Sequence, residues 1–326
     1  MFFKPFRMSS NCVGMEKSHF NTILEVSSLS KSFQNIQAVR NISFSMEKGD
    51  IFAFLGPNGA GKTTTLRILL DIIRADSGSI KWSLDHQDQA LPDPKRIGYL
   101  PEERGLYLDI PILKSLVYLA SIRGMEPAKA KKAAMEWLEK LELADRYKEK
   151  LQTLSKGNQQ KIQFIASILH KPAFAILDEP FSGLDPLNQE KFIDVIRELN
   201  QQGTTILLSA HQMSLVEKLA HKIFLINKGV EVYNGPLQGI YESFGENPII
   251  DVQFRDTVSE HDFVSLVGVE HVSRIDEFNV QLTFGRNTGL NSALSALAGV
   301  DGIVHISSHK PDLHDIFLQL VKEHSL

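Results

Sequence analysis

The chain is poor in cysteine, with Cys12 alone among its 326 residues. An internal disulfide is therefore excluded, and nothing in the composition asks for an oxidising compartment. Long apolar runs are missing too. Thr205-Ile206-Leu207-Leu208 is strand-sized, far below the ~18 residues that cross a bilayer as a helix. Any role at a membrane must come through a partner. The first fourteen residues hold Lys4 and Arg7 but no apolar stretch fit for a secretory signal; residues 1–21 are expected to form a disordered leader, with Met1 or Met15 as the true start. A large excess of one charge is also absent. With 35 basic and 39 acidic residues the net charge is −4, which argues against direct nucleic-acid binding or adhesion to anionic lipid. There are no internal repeats, no low-complexity tracts and no sustained heptads.

What is present is ordinary globular material, 43 % hydrophobic and 23 % charged, long enough for two domains. Short strands are expected over 23–26 and 42–45. The run Ile51-Phe52-Ala53-Phe54-Leu55 reads as a strand buried on both faces, as in a parallel sheet. A helix is expected over 61–73 and another over 127–141, with Ala130, Ala133, Ala134, Trp137, Leu138 and Leu141 on one face. Buried strands over 174–177 and 204–208 flank a helix over 186–199. This strand–helix–strand rhythm predicts an α/β fold with parallel pairing. After about residue 240 the character changes. Glu246-Asn247-Pro248 reads as a linker, followed by alternating strands over 249–255 and 278–284. The final helix, 311–323, gathers Leu313, Ile316, Phe317, Leu320 and Val321 on one face, and that face is expected to dock on the small C-terminal domain's own sheet.

Chemistry enters at Gly56-Pro57-Asn58-Gly59-Ala60-Gly61-Lys62-Thr63, which fits G-x-x-x-x-G-K-[ST] between a buried strand and a helix. Small residues let backbone N–H groups wrap phosphates closely, and the helix adds its positive end. Lys62 is placed to reach the β- and γ-phosphates and the Thr63 hydroxyl to ligate Mg²⁺. A nucleoside triphosphate is the ligand this implies. The strand over 174–177 runs into Asp178-Glu179-Pro180. A carboxylate at the end of a buried strand suits a Mg²⁺ role for Asp178, and Glu179 is placed to polarise the attacking water.

Further motifs name a family. Leu154-Ser155-Lys156-Gly157-Asn158-Gln159-Gln160 resembles the LSGGQ signature of ABC ATPases, Ser182-Gly183-Leu184-Asp185-Pro186 resembles their D-loop, and Ser209-Ala210-His211 resembles their switch histidine. Phe33 lies 23 residues before Gly56, where the family carries an aromatic that stacks on adenine. Taken alone, Phe33 reads as a core aromatic, His211 as a polar residue opening a helix, and Ser155 as an N-cap. The six motifs cover roughly residues 22–240. The resemblance implies a P-loop NTPase with a parallel core sheet, antiparallel N-terminal strands and a helical subdomain over 22–240, with a small α+β domain over 247–326. It implies ATP and Mg²⁺ as cofactors, and hydrolysis. It also implies a head-to-tail homo- or heterodimer in which one subunit offers Gly56, Pro57, Asn58, Gly59, Ala60, Gly61, Lys62, Thr63, Thr64, Asp178, Glu179 and His211. The other subunit offers Ser155 and Gly157, with Asp185 coupling the two sites. The expected setting is the cytoplasmic face of the cell membrane, reached only through a separate membrane-spanning permease.

Two positions depart from the family's common pattern. After Ile97-Gly98-Tyr99-Leu100-Pro101 the family continues with glutamine, but Glu102 stands here. A glutamate still offers oxygen to Mg²⁺ and to the attacking water while adding negative charge. Asn158 replaces a glutamine in the signature. The tail Pro311-Asp312-Leu313-His314-Asp315-Ile316-Phe317 is similar to C-terminal extensions of ATPases that serve exporters, including the sodium-extrusion group. The alternative is a soluble ABC ATPase acting on a ribosome or another macromolecular complex. Against it stand a single phosphate loop and the mere ~90 residues between Thr64 and Ser155, too few for an inserted coiled coil without heptads. A GTPase is argued against by Asn227-Lys228-Gly229-Val230, which is not N-K-x-D.

Overall fold

The computed structural model describes residues 21–84, 88–103, 105–244, 248–259, 263, 266–285 and 288–323. Cys12, Met15 and nearly all of the expected leader lie outside these residues, as do Glu246 and Asn247 of the expected linker.

Two sheets sandwich the first core. Strands β1 (Thr22–Phe33), β2 (Ile36–Glu47) and β4 (Ser77–Trp82) form an antiparallel sheet in the order β2-β1-β4. The hairpin arms run far beyond the expected 23–26 and 42–45. Register shifts at Val26/Leu29 and Leu29/Lys31 interrupt the apolar alternation that marks a strand. The larger sheet has the order β5-β6-β7-β3-β8-β9, built from β3 (Ile51–Leu55), β5 (Ile97–Leu100), β6 (Phe174–Asp178), β7 (Thr205–Ala210), β8 (Lys222–Asn227) and β9 (Val230–Pro236). The first five strands in that order are parallel and β9 is antiparallel to β8. Every residue of β3, β6 and β7 is buried, as fully apolar runs require. Between the sheets, Phe44, Phe52, Phe54 and Phe224 meet ring to ring, with centroids 4.7–5.9 Å apart. Burying each ring contributes about 1.5–3 kcal/mol.

The other face of the large sheet carries helices α2 (Ile112–Ile122), α3 (Pro127–Lys140), α4 (Lys156–Ile168), α5 (Pro186–Gln201), α6 (Met213–Glu217) and α7 (Leu237–Phe244). On α3, Ala130, Ala134 and Leu138 are buried and Trp137 packs edge-on to Phe164. Helix α1 (Lys62–Leu69) follows β3 and ends four residues before the expected 73. Asp71 turns left-handed at φ 56°, and the amides of Ile72 and Ile73 fold back to the Arg67 carbonyl.

Beyond residue 248 a separate antiparallel sheet has the order β11-β12-β10-β13, from β10 (Ile249–Phe254), β11 (Val269–Arg274), β12 (Asn279–Phe284) and β13 (Ile303–His309). Helix α8 (Leu290–Leu297) covers one face, over a core that includes Ile250, Val252, Val280, Leu282 and Phe284. The last helix, α9 (Leu313–Glu323), corrects an expectation. Leu313, Ile316, Phe317 and Leu320 do not pack on this sheet but join the core beneath the large sheet, against α6. The reason is chemical. The sheet face away from α8 carries Asp251, Gln281 and Thr283 and offers little apolar surface, whereas Leu215, Val216 and Leu219 do offer it.

Candidate nucleotide-binding and catalytic site

The carboxyl ends of β3, β7 and β6 lie side by side, Leu55 opposite Ala210 and Asp178 opposite Ser209. The loop after β3, the acidic pair after β6 and His211 after β7 therefore converge, as ligand sites do at the carboxyl edge of parallel sheets. Within the loop, backbones approach too closely for side chains. A Cβ on Gly56 would sit 2.1 Å from the Ile226 carbonyl oxygen, and one on Gly61 (φ 108°) would sit 2.3 Å from that of Ala38. Lys62 opens α1 and is buried, its ammonium donating to the carbonyl oxygens of Gly56 (2.7 Å) and Pro57 (3.2 Å). Burial pulls its pKa down, opposed by the carboxylates of Glu179, Asp178 and Glu102. A cleft of about 390 Å³ is lined by Asn58, Gly59, Ala60, Gly61, Lys62, Thr63, Thr64, Glu102 and Glu179, with Ala38 of β2 at its side.

Asp178 is fully buried at the end of β6. Its Oδ1 accepts from the Ser209 hydroxyl and lies 3.4 Å from Thr63 Oγ1, while Oδ2 is buried without a hydrogen-bond partner. A buried carboxylate oxygen without a partner, beside a threonine hydroxyl, fits an oxygen-liganded divalent cation such as Mg²⁺. The described residues hold no cluster of three or more His, Cys, Asp or Glu side chains suited to a metal.

Glu179 adopts a left-handed backbone (φ 51°), unusual for a side chain other than glycine. Its amide donates to the carbonyl (3.2 Å) and hydroxyl (3.1 Å) of Ser209. The carboxylate meets His211 Nδ1 at 2.8 Å. Burial raises the Glu179 pKa, and His211 and Lys62 bring it part of the way back. A half-buried carboxylate with a raised pKa, held by an imidazole and lining the cleft of the phosphate loop, is equipped for proton transfer.

Other singled-out residues lie apart from this cleft. Phe33 ends β1 as a residue 44 % exposed, with the Lys31 ammonium 5.4 Å from its ring centroid; it is not a core aromatic. Ser155 caps α4 by accepting from the Asn158 amide at 3.4 Å. Gly157 packs against the loop before α5, where an added Cβ would stand 2.8 Å from the Gly183 carbonyl oxygen. Asp185 caps α5, and bonds from the Asn188 amide (2.9 Å) and side chain (2.6 Å) hold its carboxyl below the ordinary value. Thus Ser155, Gly157 and Asp185 sit at the starts of α4 and α5, and none of them lines the cleft.

Three residues escaped the sequence reading as parts of the site. Ser209 steadies both acidic residues. Gln160 donates to the carbonyl oxygens of Glu179 (3.3 Å) and Pro180 (3.2 Å), tying the signature helix to the acidic loop. Gln163 donates to those of Pro101 and Glu103, both at 3.1 Å, across Glu102. The readable signal was two amides spaced i, i+3 among the buried positions of α4.

A phosphate loop, an acidic pair at the end of a neighbouring strand but one, and a histidine after the strand between them define a P-loop nucleoside triphosphatase. The family model described as ABC transporter matches residues 39–182. The chain is 38 % identical over 302 residues to the ABC transporter ATP-binding protein YhaQ of Bacillus subtilis, covering 92 % of this chain and 98 % of that one. It is 29 % identical to the linearmycin resistance ATP-binding protein LnrL of the same organism, covering 91 % and 98 %. A solved ATP-binding subunit of an ABC transporter superposes with a TM-score of 0.60 at 27 % identity, over 68 % of this chain and 93 % of that one. The chain belongs to the ABC transporter ATP-binding proteins and is the ATPase subunit of such a transporter. Among the described residues no helix is long and apolar enough to cross a membrane.

Proposed function

We propose that this subunit powers an exporter together with a separate membrane-spanning permease, bound at the cytoplasmic face of the membrane, and that it works in a head-to-tail pair with a second ATP-binding subunit. The observation that carries the pairing is the separation just described. The cleft holds the phosphate loop, Glu179 and Glu102, while Ser155 and Gly157 lie outside it on the same chain. A second subunit would bring its own Ser155 hydroxyl and the start of its α4 to the γ-phosphate, with Asp185 at the seam. Similarity to a resistance protein along nearly its whole length, C-terminal region included, supports export. We divide the chain accordingly into an ATPase domain over 22–240 and a C-terminal domain over 247–326.

The loop's N–H groups and Lys62 bind the phosphates, Lys62 exchanging its bonds to Gly56 and Pro57 for phosphate oxygens. Phe33, already exposed, stacks on adenine. Thr63, Asp178 and Glu102 would hold Mg²⁺, which neutralises phosphate charge when bound. Glu179 takes the proton of the attacking water, and His211 orients Glu179 and the γ-phosphate. For the permease, exposed apolar side chains are available at Tyr118 and Ile122 of α2 and at Tyr107 and Leu108 in the loop after Glu102. The deciding experiment purifies the tagged protein from its own cells' membranes in mild detergent and identifies what accompanies it. A stoichiometric polytopic membrane protein supports the reading. A purely soluble or ribosome-bound protein overturns the transport assignment and leaves the ATPase chemistry intact.

A further inference from the structure

We propose that Gln160 and Gln163 of α4 are positioning residues for hydrolysis, Gln160 setting Glu179 and Gln163 setting Glu102. The inference rests on the roles given above to those two carboxylates and adds what holds each in place. The two amides lie three residues apart on α4 and therefore on one face of it. Both are buried, at 2 % and 4 % exposure, where a primary amide must find partners. Strands β5 and β6 pair in parallel with Leu100 opposite Leu177, so the loops carrying Glu102 and Glu179 leave neighbouring strand ends. One helix face thus reaches both loops.

A side-chain amide nitrogen has two hydrogens to donate, and each of these reaches two backbone carbonyl oxygens. Gln163 Nε2 donates to Pro101 and Glu103, at 3.1 Å each, so its bonds bracket Glu102 on both sides. Residues 101–103 belong to no helix or strand, and a clamp there sets where the Glu102 carboxylate enters the cleft. Gln160 Nε2 donates to Glu179 (3.3 Å) and Pro180 (3.2 Å). The left-handed φ of 51° at Glu179 is a conformation that persists in a residue with a Cβ only where its surroundings over-determine it. Ser209 holds the amide of Glu179 at 3.2 and 3.1 Å, and Gln160 holds its carbonyl. Neither glutamine lines the cleft, so each acts through the carboxylate it fixes. If the amides only packed α4, loosening either would disturb every kinetic parameter together; as positioning residues they disturb different ones.

Replacing glutamine by methionine removes the donors and keeps length and bulk. Gln160→Met is expected to lower turnover at saturating Mg²⁺ by about tenfold or more, the scale of a misplaced reacting group, without raising the Mg²⁺ requirement. Gln163→Met is expected instead to raise the Mg²⁺ needed for half-maximal turnover, by no more than the roughly three- to tenfold of losing the Glu102 oxygen itself. Each pair is then read as a double-mutant cycle: Gln160→Met should alter turnover by less than about twofold in the Glu179→Gln background, and Gln163→Met should alter the Mg²⁺ requirement equally little in the Glu102→Ala background. Hydrogen exchange of the nucleotide-free chain gives a readout outside activity. It should accelerate at Glu102 and Glu103 in Gln163→Met and across 179–182 in Gln160→Met, each without the other. Gln→Asn at either position withdraws the amide by one methylene and repeats the test where a Met variant does not fold. Additive cycles, or one shared pattern of loss in the two variants, overturn the proposal. A silent glutamine variant beside an effective variant of its carboxylate overturns the positioning alone, whereas a silent Glu179→Gln or Glu102→Ala overturns the reading of that carboxylate and its glutamine's role with it.

Discussion

The amide of Leu313 donates to Glu217 Oε1 at 2.7 Å, so the first residue of α9 is fixed to the last residue of α6, the helix that begins two residues after His211. The same carboxylate accepts the Tyr241 hydroxyl from α7, and that bond together with burial pushes the phenol pKa up. One glutamate thus joins the C-terminal helix to the element behind the active site. Glu217→Ala leaves an amide and a hydroxyl without their acceptor, at a cost of about 1–3 kcal/mol. Denaturant unfolding measures the loss, and hydrogen exchange over 313–320 should accelerate. Unchanged exchange in that segment would show that Glu217 is not the tether.

Glu179 and His211 give a prediction in turnover and pH. Glu179→Gln should lower ATPase turnover by about 10²–10⁴, the range for a positioned base, and accumulate an ATP-bound dimer; turnover within about twofold of the parent is incompatible with that role. The base must be ionised to work. Burial raises its pKa, so the acid limb of kcat/KM should lie above the ~4.3 of a free glutamate. His211 is among the causes that lower this pKa. In His211→Ala the residual activity should therefore lose its acid limb at a still higher pH. A limb at the same pH in both proteins would separate His211 from the ionisation of Glu179.

The parts of the site built by short contiguous runs were legible in the sequence. Residues 51–55 and 174–177 are apolar enough to be buried on both faces, and the residues that follow them carry the chemistry. What could not be read depends on distant partners. Ser209 looks like the end of a strand until β6 and β7 pair in register and bring it to Asp178. Gln163 becomes meaningful only when α4 crosses the loop after β5. The docking of α9 was misjudged because amphipathicity shows that a helix has an apolar face and is silent on which of two surfaces receives it.

Glu102 lines the cleft with Lys62, Thr63 and Glu179, and its carboxylate contributes to the field around Lys62. Two consequences follow from placing it as a Mg²⁺ and water contact. Glu102→Ala should need more Mg²⁺ for half-maximal ATPase activity, by roughly three- to tenfold, the loss of one oxygen ligand. Glu102→Gln keeps an oxygen but removes the charge, and should fall between the two. A Mg²⁺ dependence in Glu102→Ala that matches the parent would remove Glu102 from the metal site.

Gly157 joins the starts of α4 and α5, because only a residue without Cβ fits 2.8 Å from the Gly183 carbonyl oxygen. The obstruction is backbone, which cannot rotate aside as a side chain would. Gly157→Ala must push α4 from the 182–185 loop, costing about 1–3 kcal/mol and shifting Ser155 and Asp185 relative to each other. Nucleotide binding to the isolated subunit should persist, since the phosphate loop is untouched, while ATPase activity, which in the proposed pairing needs both subunits, should fall. Gly299→Ala, where a Cβ meets nothing within 4 Å, controls for the generic effect of the substitution. Measured side by side, retained ATP affinity with reduced turnover in Gly157→Ala alone would place Gly157 at the seam between subunits. Equal loss of affinity and turnover would mean instead that the displaced helix disturbs the acidic loop of its own chain, through Gln160 and its bonds to Glu179 and Pro180.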